Sequence, residues 1–249
     1  MKKFKFQSSE FKIEKMQIFY NPDISAGIAT LDAEESRHCV KVLRLREGDS
    51  IDVADGQGTL CHCRIVSADA RGCVVEAMGN ETDYRRRPFH LHLAVAPTKN
   101  AARLEWLVEK AVEIGVDEIT LVICDHSERG VQKTDRLEKI AISAMKQSLR
   151  ANLPTIHPAT PLATFLEQPL GGQRLVCYCD GDNRQTLSDT YKAHSDAVVL
   201  IGPEGDFSKQ EIEHALRQGY TPITLGDTRL RTETAALYAV TALNFMNSD

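Results

Sequence analysis

From residue 89 onward the chain alternates short apolar runs with longer amphipathic ones, and this alternation limits its fold more than any other feature. Residues 89–96 read as a strand, 101–114 as a helix stopped by Gly115, 118–124 as a strand, 135–150 as a helix and 174–179 as a strand. Alternation of this kind calls for a parallel sheet covered by helices on both faces. Two C-terminal blocks continue the series. In the first, Val198-Val199-Leu200-Ile201 runs into Gly202-Pro203-Glu204-Gly205-Asp206-Phe207, and Ser208 with Glu211 forms a capping box for the next helix. In the second, residues 222–225 form the strand and Gly226 breaks it. Thr232 then reads as the N-cap of an apolar run to Phe245. Each turn alone could be an ordinary loop whose glycines and proline serve only the bend. Together, at the carboxyl ends of neighbouring strands, they make a ligand crevice, and the glycines let backbone groups approach a flat ligand.

The N-terminal third reads differently. After a helix over residues 32–43, strands at 50–54, 59–66 and 73–77 are separated by Gly56-Gln57-Gly58 and Arg71-Gly72. Closely spaced strands with glycine turns indicate a small β-barrel, and the polar stretch 80–88 is a linker. No apolar run approaches a membrane span, so no transmembrane helix is expected. The basic start, Met1-Lys2-Lys3, is followed by no apolar signal core, and residues 1–15 receive no role. The seven cysteines include two Cys-x-Cys pairs, around His62 and Tyr178, and no Cys-x-x-Cys. Thiols two apart on a strand share one face, which reads as buried thiols in a reducing, cytoplasmic compartment; zinc would want other spacing, and no metal is expected.

A net charge of −5 means that nucleic-acid binding would need local basic patches. Arg37, Lys41 and Arg44 are spaced to share a helix face that Asp32 and Glu35 would cap, with Arg46 just beyond. Arg85-Arg86-Arg87 is a second cluster and Lys99 with Arg103 a third. A solvated surface explains each one alone; three in an acidic chain also fit an RNA track.

The two C-terminal blocks, in this order, resemble the cofactor loops of the SPOUT (trefoil-knotted) RNA methyltransferases, and the nearest branch is the RsmE family. Further matches are His38-Cys39-Val40-Lys41-Val42-Leu43-Arg44 with Gly48-Asp49, Leu104-Glu105-Trp106-Leu107-Val108-Glu109-Lys110-Ala111 with Glu113-Ile114-Gly115, and Gln147-Ser148 with Arg150. They span residues 16–247. The resemblance implies an α/β fold with a SPOUT-type α/β knot and mostly parallel sheet, preceded by a small PUA-like RNA-binding β-barrel. The expected divisions are an extension at 1–15, the barrel at 16–80, a linker at 81–88 and the methyltransferase domain at 89–249.

It further implies S-adenosyl-L-methionine bent among three turns, with Cys179, Ile201, Gly202, Pro203, Gly205, Leu225, Gly226, Leu230 and Thr234 as cofactor-binding residues. The reaction implied is methylation of N3 of a uridine in small-subunit (16S) ribosomal RNA. The partners implied are the small ribosomal subunit and a second copy of the chain, the homodimer taking part of its contact from Leu237, Val240 and Leu243. Glu204 and Glu233 are the candidate bases, although Glu233 also suits a helix N-terminus. Arg231 is the candidate for steadying the uridine anion, and Arg37, Lys41, Arg44, Arg46, Lys99 and Arg103 are candidate RNA contacts. Two positions depart from the family pattern: Asp206 stands where a second glycine is usual, and Lys146 where a glutamate commonly precedes Gln147-Ser148. Ribose 2′-O-methylation and RNA binding without catalysis remain alternatives.

Overall fold

Two sheets organise the chain, whose computed structural model describes residues 17–128, 134–178 and 185–248. The first comprises β1 (Ile18–Tyr20), β2 (Ile28–Thr30), β3 (Ser50–Ala54), β4 (Leu60–Ser67) and β5 (Val74–Glu81), hydrogen-bonded in the order β1-β3-β4-β5-β2. β1 runs parallel to β3; the other pairings are antiparallel. In β4 the alternation is plain: Cys61, Cys63 and Ile65 are buried, while His62, Arg64 and Val66 are exposed. With Phe19, Ile24, Leu31, Val53 and Val75 they fill a core of their own. The cysteines of this core are free thiols, and burial pushes Cys39 and Cys63 up to about 12, leaving them unreactive at neutral pH.

The helix expected over 32–43 is shorter. Asp32 caps α1 (Ala33–Arg37), its carboxylate accepting from the Glu35 amide at 2.8 Å. The chain then widens into a π turn at His38–Val42. Arg44 lies past it at φ +62°, so Arg37, Lys41 and Arg44 do not share one continuous α-helical face. Glu35 does not act as a second cap. Its carboxylate is buried and pairs with Lys146.

The second sheet is made by β6 (Leu91–Val95), α2 (Ala101–Ile114), β7 (Glu118–Ile123), α3 (Thr134–Gln147), β8 (Thr155–Pro161), α4 (Leu162–Leu166), β9 (Gln173–Cys177), β10 (Gln185–Thr186), α5 (Leu187–Thr190), β11 (Ala197–Ile201), α6 (Lys209–Arg217), β12 (Thr221–Thr224) and α7 (Thr232–Met246). The strand order is β10-β12-β9-β11-β6-β7-β8, with every pairing parallel. β6 and β11 lie inside the sheet and are buried along their whole length, as continuous apolar runs demand. Helices α2, α3 and α7 cover one face, and α4 and α6 the other. Residues 155–161, Thr-Ile-His-Pro-Ala-Thr-Pro, carry no strand signal. They form an edge strand, where two prolines cost no central ladder bond.

After β12 the chain returns to lay α7 against α2 and the central strands β6 and β11. Val240 and Leu243, expected to help contact a second copy, are instead fully buried in this core, because α7 faces α2 with them. The small sheet seats on α3: Ile18, Ala54 and Leu60 join the large core, and Lys146 of α3 meets Glu35. Among the described residues no helix is long and apolar enough to cross a membrane.

Candidate active site

The carboxyl ends of β9, β11 and β12 open onto a cleft of about 640 Å³, within the usual size of a small-molecule site. One wall is Ile201, Gly202, Pro203 and Glu204 after β11; the other runs from Leu225 through Arg231 after β12. Ile223, Leu225, Leu230 and Ala235 supply apolar surface among the turns' backbone groups.

The two glycines serve different needs. At Gly202 a Cβ would stand 2.9 Å from Cε2 of Phe207, a ring anchored in the α4–α6 core. Gly226 has open space around it, but its φ of +115° strains any other residue. Asp206 adopts φ +61°, and its carboxylate accepts from the Phe207 amide at 2.8 Å. An aspartate therefore sustains the turn where a glycine is usual. His126, following β7, donates from Nδ1 to the carbonyls of Gly205 and Asp206, at 3.1 and 2.9 Å. The capping box at the start of α6 is present as the sequence indicates, and the Ser208 hydroxyl also donates to Asp125 at 2.6 Å.

Thr232 is not the N-cap of α7. Arg231 holds that place with extended backbone and no side-chain cap, and Thr232 is the first helical residue. Its buried hydroxyl donates to the Gly202 carbonyl at 3.0 Å, stitching the second turn to the first. No local pattern announces this bond.

The cleft brings together Ile201, Gly202, Pro203, Glu204, Leu225, Gly226, Leu230 and Arg231. Gly205 and Thr234 stand outside its lining, Gly205 against His126. Cys179 lies outside the described residues, as do residues 1–15. Glu204 accepts from the Lys99 amide at 3.1 Å. Glu233 is 5% exposed and does not line the cleft; one carboxylate oxygen lies 3.6 Å from Nε of Arg103 and the other has no hydrogen-bond partner. The Arg231 side chain is exposed at the rim and has no hydrogen-bond or ion-pair partner among the described residues.

The basic clusters also separate. Arg37, Lys41, Arg44 and Arg46 are exposed. Lys99 is paired with Glu128 at 2.6 Å, and Arg103 lies beside Glu233. Arg87 is engaged by Asp117, the Gly115 carbonyl and Asn244, so it holds the fold together.

The model of the RNA methyltransferase domain matches residues 85–244, and that of the RNA methyltransferase PUA domain matches residues 31–78. The chain is 28% identical to the ribosomal RNA small subunit methyltransferase E of Bacillus subtilis (strain 168), over 94% of each chain. The crystal structure of a probable rRNA-methyltransferase from Porphyromonas gingivalis superposes with a TM-score of 0.87 at 42% identity, covering 93% of this chain and 98% of that one. A ribosomal RNA small subunit methyltransferase E from Neisseria gonorrhoeae, bound to S-adenosyl methionine, superposes with a TM-score of 0.82 at 29% identity and the same coverage.

Proposed function

The chain belongs to the RNA methyltransferase family, and from that premise we propose that it methylates N3 of a uridine in small-subunit ribosomal RNA, with S-adenosylmethionine as donor. One observation carries the reading. Two strand-end turns, joined through Thr232 and Gly202, enclose a cleft with the exposed guanidinium of Arg231 at its rim. The donor set fits the cofactor: apolar side chains suit a flat base, and the glycine turns present backbone groups to its polar edge. In this reading Ile201, Gly202, Pro203, Leu225, Gly226 and Leu230 hold it, with Gly205 and Thr234 close by. S-adenosylmethionine supplies a methyl group on a positively charged sulfur.

The remaining work belongs to the protein. The cleft aligns the uridine nitrogen with the methyl carbon, and alignment alone accounts for roughly 7–11 kcal/mol in well-oriented systems. Arg231 favours the uridine in its N3-deprotonated form by placing positive charge beside the base. Glu204, exposed at the cleft, is the better placed of the two candidate carboxylates to take the N3 proton, because Glu233 lies outside the lining. General-base assistance of this kind adds about 10²–10⁴-fold.

Residues 16–80 form the RNA-binding barrel, 81–88 the linker and 89–249 the catalytic domain, working in the cytoplasm. Arg37, Lys41, Arg44 and Arg46 track RNA phosphates; Lys99 and Arg103 join them by exchanging their carboxylate partners for phosphate. The functional unit is a homodimer, for which Tyr238 and Phe245, 51% and 78% exposed on α7, supply apolar contact.

The test is nucleoside mass spectrometry of small-subunit rRNA from cells lacking the protein. Loss of one 3-methyluridine, restored by the wild-type chain, is the expected result. Loss of a ribose-methylated nucleoside instead, or no change at all, would reject it.

A further inference from the structure

At the end of the large sheet opposite the cleft, three strands present a group of donors that methyl transfer does not use. His90 immediately precedes β6, His92 lies within it, Glu118 opens β7 and His157 lies in β8. The register sets His92 beside Glu118 and His157 beside Thr120. Side chains two apart on a strand share a face, so His90, His92, Glu118, Thr120 and His157 all project to the α4 side. There the His92 ring packs edge-on against Phe165, with centroids 5.5 Å apart. Glu118 is central. One carboxylate oxygen lies 2.6 Å from Nε2 of His157 and 3.9 Å from Nδ1 of His92; the other lies 3.1 Å from Nε2 of His90. The potential ligand atoms of His92, Glu118 and His157 fall within 4.8 Å of one another.

We propose that His92, Glu118 and His157, with His90 or water in the fourth position, bind a divalent transition-metal ion of the zinc type. Imidazole nitrogen and carboxylate oxygen are ligands that zinc takes at about 2.0–2.2 Å, which sets ligand-to-ligand edges of about 3.3 Å in a tetrahedron. The observed separations of 2.6 and 3.9 Å bracket that value, so each changes by less than about 1 Å.

His92 supplies the sharper argument. Its Nε2 lies 2.7 Å from the Thr120 hydroxyl. With Nε2 protonated and donating there, the Nδ1 lone pair faces the carboxylate from beyond hydrogen-bonding distance. Metal-bound histidines have this arrangement, the second ring nitrogen donating to an oxygen that fixes tautomer and orientation. His92 is 3% exposed, enclosed between its neighbouring strands and the Phe165 ring. The ion would clip the amino ends of three strands together, far from the reacting base.

The experiment uses the full chain, stripped with chelator and then titrated with Zn²⁺ alone by calorimetry and with Co²⁺ by absorption. The expected result is one ion per chain, the visible bands of tetrahedral Co²⁺, and a higher melting temperature with Zn²⁺. His157→Ala and Glu118→Gln, at half-exposed positions where folding is checked by circular dichroism, should abolish this binding. Thr120→Val removes no ligand and should weaken affinity about 10–100-fold. The chain has seven cysteines, and Co²⁺ on thiolates would show intense near-ultraviolet charge-transfer bands. Such bands, the absence of stoichiometric binding, or binding unchanged in His157→Ala would overturn the proposal.

Discussion

Gly202 and Arg37 represent two ways in which this chain builds its surface. Around Gly202 the surface is backbone, held by parallel strands, by the buried Phe207 ring and by the hydroxyl of Thr232. Around Arg37 it consists of long side chains standing in water where an α turn widens into a π turn. The first kind of surface is set by the sheet and tolerates little change, since a single methyl group meets packed atoms. The second is set by charge, each residue contributing a fraction that salt screens. Substitutions in the cleft are therefore expected to act as switches and those on the small sheet as graded weights.

The largest effect is expected at Gly202. Gly202→Val sets new carbon atoms against Phe207 and into the cleft, and S-adenosylmethionine binding should become undetectable by calorimetry in a folded variant; unchanged affinity would remove these turns from the site. Next comes Arg231→Ala. Loss of one well-placed charge-stabilising group typically costs about 10²–10³-fold in rate, so single-turnover methylation of small subunits should fall by that order with cofactor affinity intact. A near-normal rate would move attention to Glu204 and Glu233.

Two intermediate effects probe how the surfaces are held. Lys146→Ala leaves the Glu35 carboxylate buried without its partner. That should destabilise the chain by about 1–3 kcal/mol in denaturant unfolding, with the cleft untouched. Thr232→Val removes the donor to the Gly202 carbonyl and should cost about 1–2 kcal/mol, read as a lower melting temperature together with weaker cofactor binding. If Thr232→Val changed stability but not cofactor affinity, the stitch would be structural only.

The smallest effect belongs to the basic surface. Arg37→Ala and Lys41→Ala should each weaken RNA binding modestly at every sequence. The slope of log affinity against log salt should flatten by about 0.7–0.9 for each phosphate pairing removed, with the single-turnover rate at saturating RNA unchanged. A slower rate at saturation would break the division between the two surfaces.

The sequence by itself determined the strand–helix alternation, a parallel central sheet, the two glycine turns at its carboxyl edge and the capping box at Ser208. Each depends on neighbours within a few residues: apolar runs for buried strands, a hydroxyl and a carboxylate three apart for the cap, glycine or aspartate where the backbone turns left-handed. Cysteine spacing carries no sign of the donors that converge, His90, His92, Glu118 and His157, which come from three separate strands. Tertiary structure alone decided that convergence, the strand made of Thr155–Pro161, the burial of Val240 and Leu243, and the engagement of Lys146 by Glu35 and of Gly202 by Thr232. Periodicity reports which side of an element is buried. It does not report which element lies opposite; Gly202 and Thr232 are 30 positions apart and Glu35 and Lys146 are 111 apart, and only strand order and helix packing bring them together.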